Sequence, residues 1–217
     1  MSLLSLNCRG LGNPAAVGGL CNLLRKEAPS FVFLCETKLC STELHKVRNK
    51  LDDYEGFAVD CMGKSGGLAF LWKRKYSCSI VSATVHYIDV EVGEGEEKWR
   101  VTGFYGWPAI QDRHLSWQQL RILASSSPLP WICMGDFNEI LYSTEMKGGS
   151  RMQWQMNNFR DAVDECGLRD LPYEGYEFTF DNGQGGDANR QCRPRSINVR
   201  MSCSNGRELA LERLCET

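Results

Sequence analysis

The chain has 217 residues, which is long enough for one domain with a sizeable hydrophobic core and short for two domains. Its formal net charge is −2, which excludes a polycation, so any contact with nucleic acid must come from a local basic face. No apolar run approaches the length of a membrane span, and Arg9 interrupts the short apolar N-terminus, so we expect neither a membrane segment nor a signal peptide.

The cysteine pattern indicates a cellular compartment. The chain has 11 cysteines, an odd number, and they are scattered without any CxxC pair. This pattern supports neither a zinc site nor a disulfide framework, and it favours buried thiols in a reducing environment. We therefore expect an intracellular protein.

The first part of the chain alternates strands with helices. Residues 2–8 predict a buried strand, and apolar residues at helical spacing predict a helix over 15–27, with Pro14 suited to its start. The run FVFLC at 31–35 predicts a second buried strand. A helix is predicted over 41–51, because Ser41 is a favourable cap and the apolar side chains fall on one face.

The middle of the chain predicts a meander of antiparallel strands, since its segments are β-branched or aromatic and are separated by glycine or charged turns. These segments are 57–61, 67–73, 77–83, 85–92 and 98–105. The elements predicted after them are a helix over 112–124, a strand over 131–135, a helix near 154–166 and a strand-like YEFTF ending at Phe180. This order favours an α/β protein in which two sheets pack face to face and helices cover both outer faces.

Polar side chains recur at the carboxyl ends of four predicted strands. They are Asn7, Glu36, Tyr105 and the pair Asp136 and Asn138. Each alone is unremarkable, because acids and amides often end strands. Since strand ends gather at one edge of layered α/β folds, and sites form there, the joint recurrence predicts a functional site.

The residue types suit metal-assisted phosphoester chemistry. A hard cation such as Mg²⁺ prefers oxygen ligands and keeps several waters, so one or two carboxylates with an amide are sufficient. A second carboxylate could orient or deprotonate a water molecule, while an amide N–H and a tyrosine hydroxyl could donate to a phosphate. The three histidines, His45, His86 and His114, share no local motif, and each is more typical of a surface or core histidine than of a ligand.

Four motifs carry a family resemblance. LNCRGL, CETK, GFYGWP and MGDFNEIL, in this order, resemble the endonuclease/exonuclease/phosphatase superfamily. Together with SGGLAFLWK, WQMNNFRDAVDECGLRDL and GYEFTFDNGQ, they are most similar to the apurinic-type endonuclease domain of plant non-LTR (LINE-type) retrotransposons. The resemblance spans residues 3–193, and we take residues 1–193 as one incomplete domain of this kind. The resemblance implies a two-sheet α/β sandwich that cleaves phosphodiesters.

The resemblance also implies roles for individual residues. Glu36 would hold the metal ion, with Asn7 close by in its inner or outer shell. Asp136 would activate the water, Asn138 would steady the phosphate, and Tyr105 would donate to a phosphate oxygen.

Further expectations follow from the same resemblance. Thr179 matches a substrate-binding position at the edge of the site. The implied cofactor is Mg²⁺ (or Mn²⁺), and the implied partner is the phosphodiester backbone of DNA. We also expect a monomer that does not contact membranes and that lies in the nucleus if it functions as a retrotransposon endonuclease.

The last part of the sequence departs from the family pattern. The family has a Leu-Asp-Arg segment and a terminal Ser-Asp-His after the region of Thr179, and this sequence has neither. Residues 194–198, Pro-Arg-Ser-Ile-Asn, can be encoded as CCT CGA TCG ATC AAT, and deleting the first base gives Leu-Asp-Arg-Ser. We therefore expect 194–217 to be a frameshifted or disordered tail, with the last strands of the fold missing.

Three functional readings remain open on the sequence. The first is a metal-dependent DNA endonuclease of retrotransposon type with weak or absent activity, because the histidine and acid of the tail are missing. The second is a non-catalytic remnant with residual nucleic-acid binding. The third is a phosphatase of the same superfamily acting on small phosphoesters such as inositol phosphates.

Overall fold

A computed structural model of the chain describes residues 1–170 throughout and, beyond them, the backbone of five short strands. The elements up to the middle of the chain are β1 (Ser2–Asn7), α1 (Pro14–Glu27), β2 (Phe31–Cys35), α2 (Ser41–Arg48), β3 (Tyr54–Met62) and β4 (Ser65–Lys73). They are followed by β5 (Cys78–Ala83), β6 (Tyr87–Val92), β7 (Trp99–Tyr105), α3 (Arg113–Ser125), β8 (Trp131–Asp136), β9 (Met146–Lys147) and α4 (Gln153–Glu165). The remaining strands are β10 (Arg169–Asp170), β11 (Glu174–Gly175), β12 (Phe180–Asp181), β13 (Gln191–Cys192), β14 (Ile197–Arg200) and β15 (Arg213–Glu216).

Two six-stranded mixed sheets form the fold. The first has the strand order β11-β15-β1-β2-β4-β3, and the second has the order β10-β14-β8-β7-β6-β5. At the centre of each sheet lies a parallel pair, β1 with β2 and β7 with β8, and in the first sheet β15 continues the parallel run between β1 and β11. A small sheet, β12-β13-β9, lies beside them.

The core has three layers of side chains. Between the sheets, the inner faces of both pack together through residues such as Phe31, Phe33 and Phe70 from the first sheet and Val101 and Met134 from the second. Two further clusters fill the space under α1 and α2 on one outer face and under α3 and α4 on the other. Because β2 is covered on both faces, all five of its residues are buried and its sequence is apolar throughout. The predicted sandwich with helices on both outer faces is confirmed.

A glycine of the second sheet faces an aromatic ring of the first sheet. A Cβ atom added to Gly103 on β7 would lie 2.0 Å from Cδ2 of Phe33 on β2. Any side chain at position 103 would therefore collide with the ring, so the absence of a Cβ sets how close the sheets can pack.

Most predicted element positions are confirmed, but the meander is wrong as a single unit. Strands β3 and β4 extend the first sheet, whereas β5, β6 and β7 build the second, so the chain crosses between sheets after Lys73. Strand periodicity reports burial on a face and cannot report which sheet supplies the partner. The second helix also ends at Arg48, earlier than predicted, although Leu51 remains buried below it.

The end of the chain differs from the expectation of missing last strands. Strand β14 pairs antiparallel with β8, from Ile197 opposite Met134 to Arg200 opposite Trp131. Strand β15 pairs in parallel with β1. These strands cover the edges of β8 and β1, because the backbone N–H and C=O groups of an edge strand can pair with a neighbour of almost any sequence. Whether residues 194–217 are in their native frame stays a prediction.

No helix within the described residues is both long and apolar enough to cross a membrane.

Candidate active site

Two hydrogen bonds link the sheets at the carboxyl ends of their central strands. Asn7, the last residue of β1, donates through Nδ2 to Oδ2 of Asp136 at 3.0 Å. Tyr105, the last residue of β7, donates through its hydroxyl to Oε1 of Glu36 at 2.7 Å. Asn7 and Glu36 belong to the first sheet and Asp136 and Tyr105 to the second, so each bond joins one residue from each sheet. Four residues predicted from separate strand ends therefore form one site.

Strand register explains why these side chains meet. Asn7 lies opposite Cys35 in the parallel pair of the first sheet, and Glu36 is the next residue along the chain. Tyr105 lies opposite Asp136 in the parallel pair of the second sheet. Because parallel strands end at the same edge, and because the sheets pack face to face, both ends open onto a single seam.

The backbone around the site is held in an unusual conformation. Four of the five described non-glycine residues with positive φ lie here: Arg9 (48°), Glu36 (54°), Lys38 (55°) and Asn138 (56°). Only asparagine adopts this conformation readily, and the other three cost free energy that the rest of the fold must supply. Strain of this kind concentrates at functional sites, where it aims side chains that a regular strand end would direct elsewhere.

A glycine directly before the acid completes the turn. Gly135 has a φ of +152°, and an added Cβ would lie 1.8 Å from the carbonyl oxygen of Phe104. Only glycine fits this position, since any larger residue would push β8 away from β7.

Asp136 is held by two hydrogen bonds in a desolvated position. Its Oδ1 accepts from the backbone N–H of Asn138 at 2.9 Å, and its Oδ2 accepts from Asn7. Burial raises the pKa of Asp136, the two hydrogen bonds oppose that change, and the nearby charge of Glu36 raises the pKa further. A carboxylate whose proton affinity is raised in this way is suited to accept a proton from water.

Glu36 has one hydrogen-bonded carboxylate oxygen and one open oxygen, and Tyr105 is the partner of the first. Oε1 of Glu36 accepts from the Tyr105 hydroxyl and from the backbone N–H of Gly66 at 3.3 Å. Oε2 accepts no hydrogen bond from any described residue, which leaves it available to a cation or to water. Burial is the main cause that raises the pKa of Tyr105, and the hydrogen bond to Glu36 raises it further. The phenol therefore stays protonated and remains a donor.

Asn138 is anchored to the neighbouring loop. Its Nδ2 donates to the carbonyl oxygen of Gly106 at 2.8 Å, which uses one of the two amide protons. The second amide proton remains for a substrate oxygen. Asn138 therefore fits the predicted phosphate-steadying role only through that second proton.

Sequence reasoning missed a buried charge cluster beside this loop. Glu139 is fully buried, and its Oε2 accepts from Arg113 Nη1 at 2.7 Å while its Oε1 lies 3.4 Å from Arg151 Nε. Arg113 also donates to the carbonyl of Pro108 at 3.4 Å. The cluster joins the loop after β8 to the start of α3 and to the segment before α4. The only sequence signal was an acid directly after Asn138, and its partners are distant in the chain.

Sequence reasoning also treated His86 as an ordinary surface or core histidine, but the structure places it at the edge of the site. Its backbone carbonyl accepts from the N–H of Tyr105 at 2.7 Å, and its ring stacks on Trp107. Thr179 lies outside the described residues.

The donor set at the seam fits a magnesium ion. Within residues 1–170, no group of three or more His, Cys, Asp or Glu side chains could hold a metal ion. The site instead offers two carboxylates, of which Glu36 has its Oε2 open, and an amide oxygen. This is an all-oxygen set with few protein ligands, which suits Mg²⁺ because that ion retains most of its water.

The two-sheet sandwich, with Asp136 and Glu36 each hydrogen-bonded across the seam, is an α/β fold whose candidate site lies at the carboxyl ends of its central strands. A family model described as the endonuclease/exonuclease/phosphatase family matches residues 4–192, and the chain belongs to this family. No curated protein sequence matches the chain.

Several solved structures share the fold. The endonuclease domain of TRAS1, a telomere-specific non-LTR retrotransposon, is 17% identical with a TM-score of 0.68 over 91% of this chain and 84% of that chain. The 3'-5' exonuclease NExo from Neisseria meningitidis is 15% identical with a TM-score of 0.67 over 92% and 85% of the two chains. The AP endonuclease from Leishmania major is 15% identical with a TM-score of 0.64 over 93% and 78%.

Proposed function

We propose that this chain is a metal-dependent phosphodiesterase domain of the retrotransposon endonuclease type, which cleaves DNA with Mg²⁺ (or Mn²⁺) and acts as a monomer in the nucleus. The observation that carries the proposal is the pair of hydrogen bonds across the seam, Asn7 to Asp136 and Tyr105 to Glu36. They bring a proton acceptor, two donors and a free carboxylate oxygen together, as hydrolysis of a phosphodiester requires. The retrotransposon type is supported by the sequence motifs and by the likeness to the TRAS1 endonuclease domain.

Each side chain takes a defined part in the reaction. Asp136 accepts a proton from the attacking water. At the same time the oxygen of that water bonds to phosphorus, and the bond from phosphorus to the leaving oxygen breaks. The second amide proton of Asn138 donates to a phosphate oxygen as negative charge builds on it. The single hydroxyl proton of Tyr105, donated to Glu36 Oε1 in this structure, turns to a second phosphate oxygen when the substrate binds. Glu36, with Asn7, would hold the cation, and the bound cation would polarise the phosphoryl oxygen and stabilise the leaving oxyanion.

We further propose that the 217-residue polypeptide has weak or absent activity. All three histidines precede Asp136 in the sequence, and the family's terminal histidine and acid have no counterpart. Loss of one general acid or base costs roughly 10²–10⁴ in rate. A protein whose coding sequence is frame-restored after residue 193, so that it regains Leu-Asp-Arg and Ser-Asp-His, should nick faster by about that factor.

Nicking of supercoiled plasmid in Mg²⁺ tests both statements. We expect nicking by the frame-restored protein to be faster than nicking by the 217-residue polypeptide. It should be abolished by Glu36→Ala and Asp136→Asn and unaffected by Glu43→Ala, a control at an exposed acid of α2. Rapid nicking by the 217-residue polypeptide, abolished by Glu36→Ala, would show that the tail is dispensable. Phosphate release from a soluble inositol phosphate without any nicking would replace the endonuclease proposal by the phosphatase reading.

A further inference from the structure

An aromatic pair lies next to the seam and takes no part in the chemistry above. His86 ends the loop between β5 and β6, and Trp107 lies in the loop after β7. Their rings are stacked face to face, with centroids 3.4 Å apart and planes inclined by 15°. Both side chains are half-buried, so part of the pair faces solvent.

The pair is fixed to the backbone of a site residue. Nδ1 of His86 lies 3.1 Å from the carbonyl oxygen of Tyr105, and because a carbonyl only accepts, Nδ1 carries the proton. The backbone N–H of Trp107 donates to the Ser116 hydroxyl at 2.9 Å, which ties the loop to α3. The rings are therefore held in one orientation, at a fixed position relative to the Tyr105 hydroxyl in the site.

The chemistry of this surface suits a base more than a phosphate. Burial lowers the pKa of His86, so at neutral pH its ring is uncharged and offers no cation to a phosphate oxygen. An uncharged aromatic surface, held rigid before binding, provides the π-face on which nucleobases stack, and stacking of this kind tolerates any base sequence.

We propose that the Trp107–His86 pair is the stacking site for one nucleobase next to the scissile phosphate, and that this base is unstacked from its own strand when bound. The proposal rests on the proposed function, because the phosphate is assigned to the site that contains Tyr105. It adds a substrate preference: single-stranded or distorted DNA should bind better than regular duplex, in which every base is already stacked.

Fluorescence anisotropy of labelled single-stranded DNA of about 12 nucleotides tests the stacking directly. The measurement is made in EDTA, so that nothing is cleaved. We expect Trp107→Ala to weaken binding by about 5- to 150-fold, the range found for loss of one base–aromatic stack. Trp107→Phe should retain most of the affinity. Trp154→Ala should change nothing, because Trp154 is an exposed tryptophan (55%) on α4 that serves as a matched control.

An abasic scan separates stacking from general damage to the protein. Each base of the oligonucleotide in turn is replaced by an abasic sugar that keeps its phosphate. In the wild-type protein one position should lose as much affinity as Trp107→Ala does, and in Trp107→Ala that position should lose no more. A thermal melt of each variant confirms that it is folded. If Trp107→Ala does not fold, His86→Leu takes its place, because it removes the other aromatic ring of the pair.

The outcomes distinguish this proposal from the proposed function. If binding depends on one base but no form of the protein nicks DNA, the stacking site is supported and the proposed catalytic function is overturned. Nicking with a Trp107→Ala affinity equal to wild type overturns the stacking site alone. Failure of the wild-type protein to bind the oligonucleotide, or equal losses at every abasic position, overturns the stacking site as well.

Discussion

Removing one charge from the buried cluster behind Asn138 should destabilise the fold around the loop that carries the proposed catalytic acid. Glu139→Gln keeps the shape of the side chain and removes its charge. Arg113, whose side chain is only 9% exposed, then loses its partner at 2.7 Å, and Arg151 loses its partner at 3.4 Å. Breaking a buried ion pair on one side costs about 3–5 kcal/mol, because the remaining charge stays desolvated.

Urea unfolding followed by tryptophan fluorescence measures this loss. For a slope of about 2 kcal/mol per M, a change of about 4 kcal/mol lowers the midpoint by about 2 M. Glu165→Gln is the matched control, since Glu165 pairs with Arg121 on the surface, where both side chains are largely solvated. We expect its midpoint to match the wild-type value. Equal midpoints for Glu139→Gln and Glu165→Gln would refute the reasoning, because burial would then have no effect on the strength of the pair.

Four further substitutions test other parts of the description. Asp136→Asn should raise the melting temperature in EDTA at neutral pH while abolishing nicking, because burial disfavours the ionised form that the wild type carries there; a lower melting temperature would contradict this. The lowered pKa of His86 means that the unfolded chain binds its proton first, so stability should be complete above pH 6.5, the ordinary histidine value, and fall as the pH drops below it. Melting curves between pH 5 and 8 should show this fall in the wild type and a smaller one in His86→Gln, and equal slopes would argue against it. Gly135→Ala should prevent folding as judged by circular dichroism, because its Cβ would overlap the carbonyl of Phe104. Gly18→Ala, in an exposed helical position with open space around it, should instead stabilise the protein by about 0.5–1 kcal/mol.

Local sequence patterns predicted the elements well and their partners poorly. The strand at 31–35 was predicted with its observed bounds because both of its faces are buried and its apolar run is unbroken. The division of the central strands between two sheets was missed, since it depends on contacts between distant segments. Alternation along β3 to β7 looks the same whichever sheet they join.

The candidate site was predicted as a set of residues and not as a geometry. Asn7, Glu36, Tyr105 and Asp136 were found because each follows an apolar strand and matches a family motif. The hydrogen bonds between them could not be read from the sequence, because they join opposite sheets. The positive φ of Glu36 was equally hidden, because glutamate has no preference for that conformation.

The supporting residues were missed for a related reason. Arg113 and Glu139 are 26 positions apart, and His86 and Trp107 are 21 apart, so no local motif contains both members of either pair. A buried arginine also looks like any surface arginine in a sequence, and only its environment reveals the difference.

The glycine at the contact between the sheets has a consequence for how such a site can be lost. Asp136, the proposed proton acceptor, and Glu36, the proposed holder of the cation, lie at the ends of strands in different sheets, and Phe33 packs against Gly103 between those sheets. The separation of the sheets at this contact therefore affects the distance between the two halves of the site. A modest core substitution that thickens or thins the interior by a few tenths of an ångström would leave a folded, soluble domain with its reactive groups out of reach of each other. Among related copies of this chain, catalytic geometry should therefore decay earlier than the fold, through substitutions that touch no residue of the site.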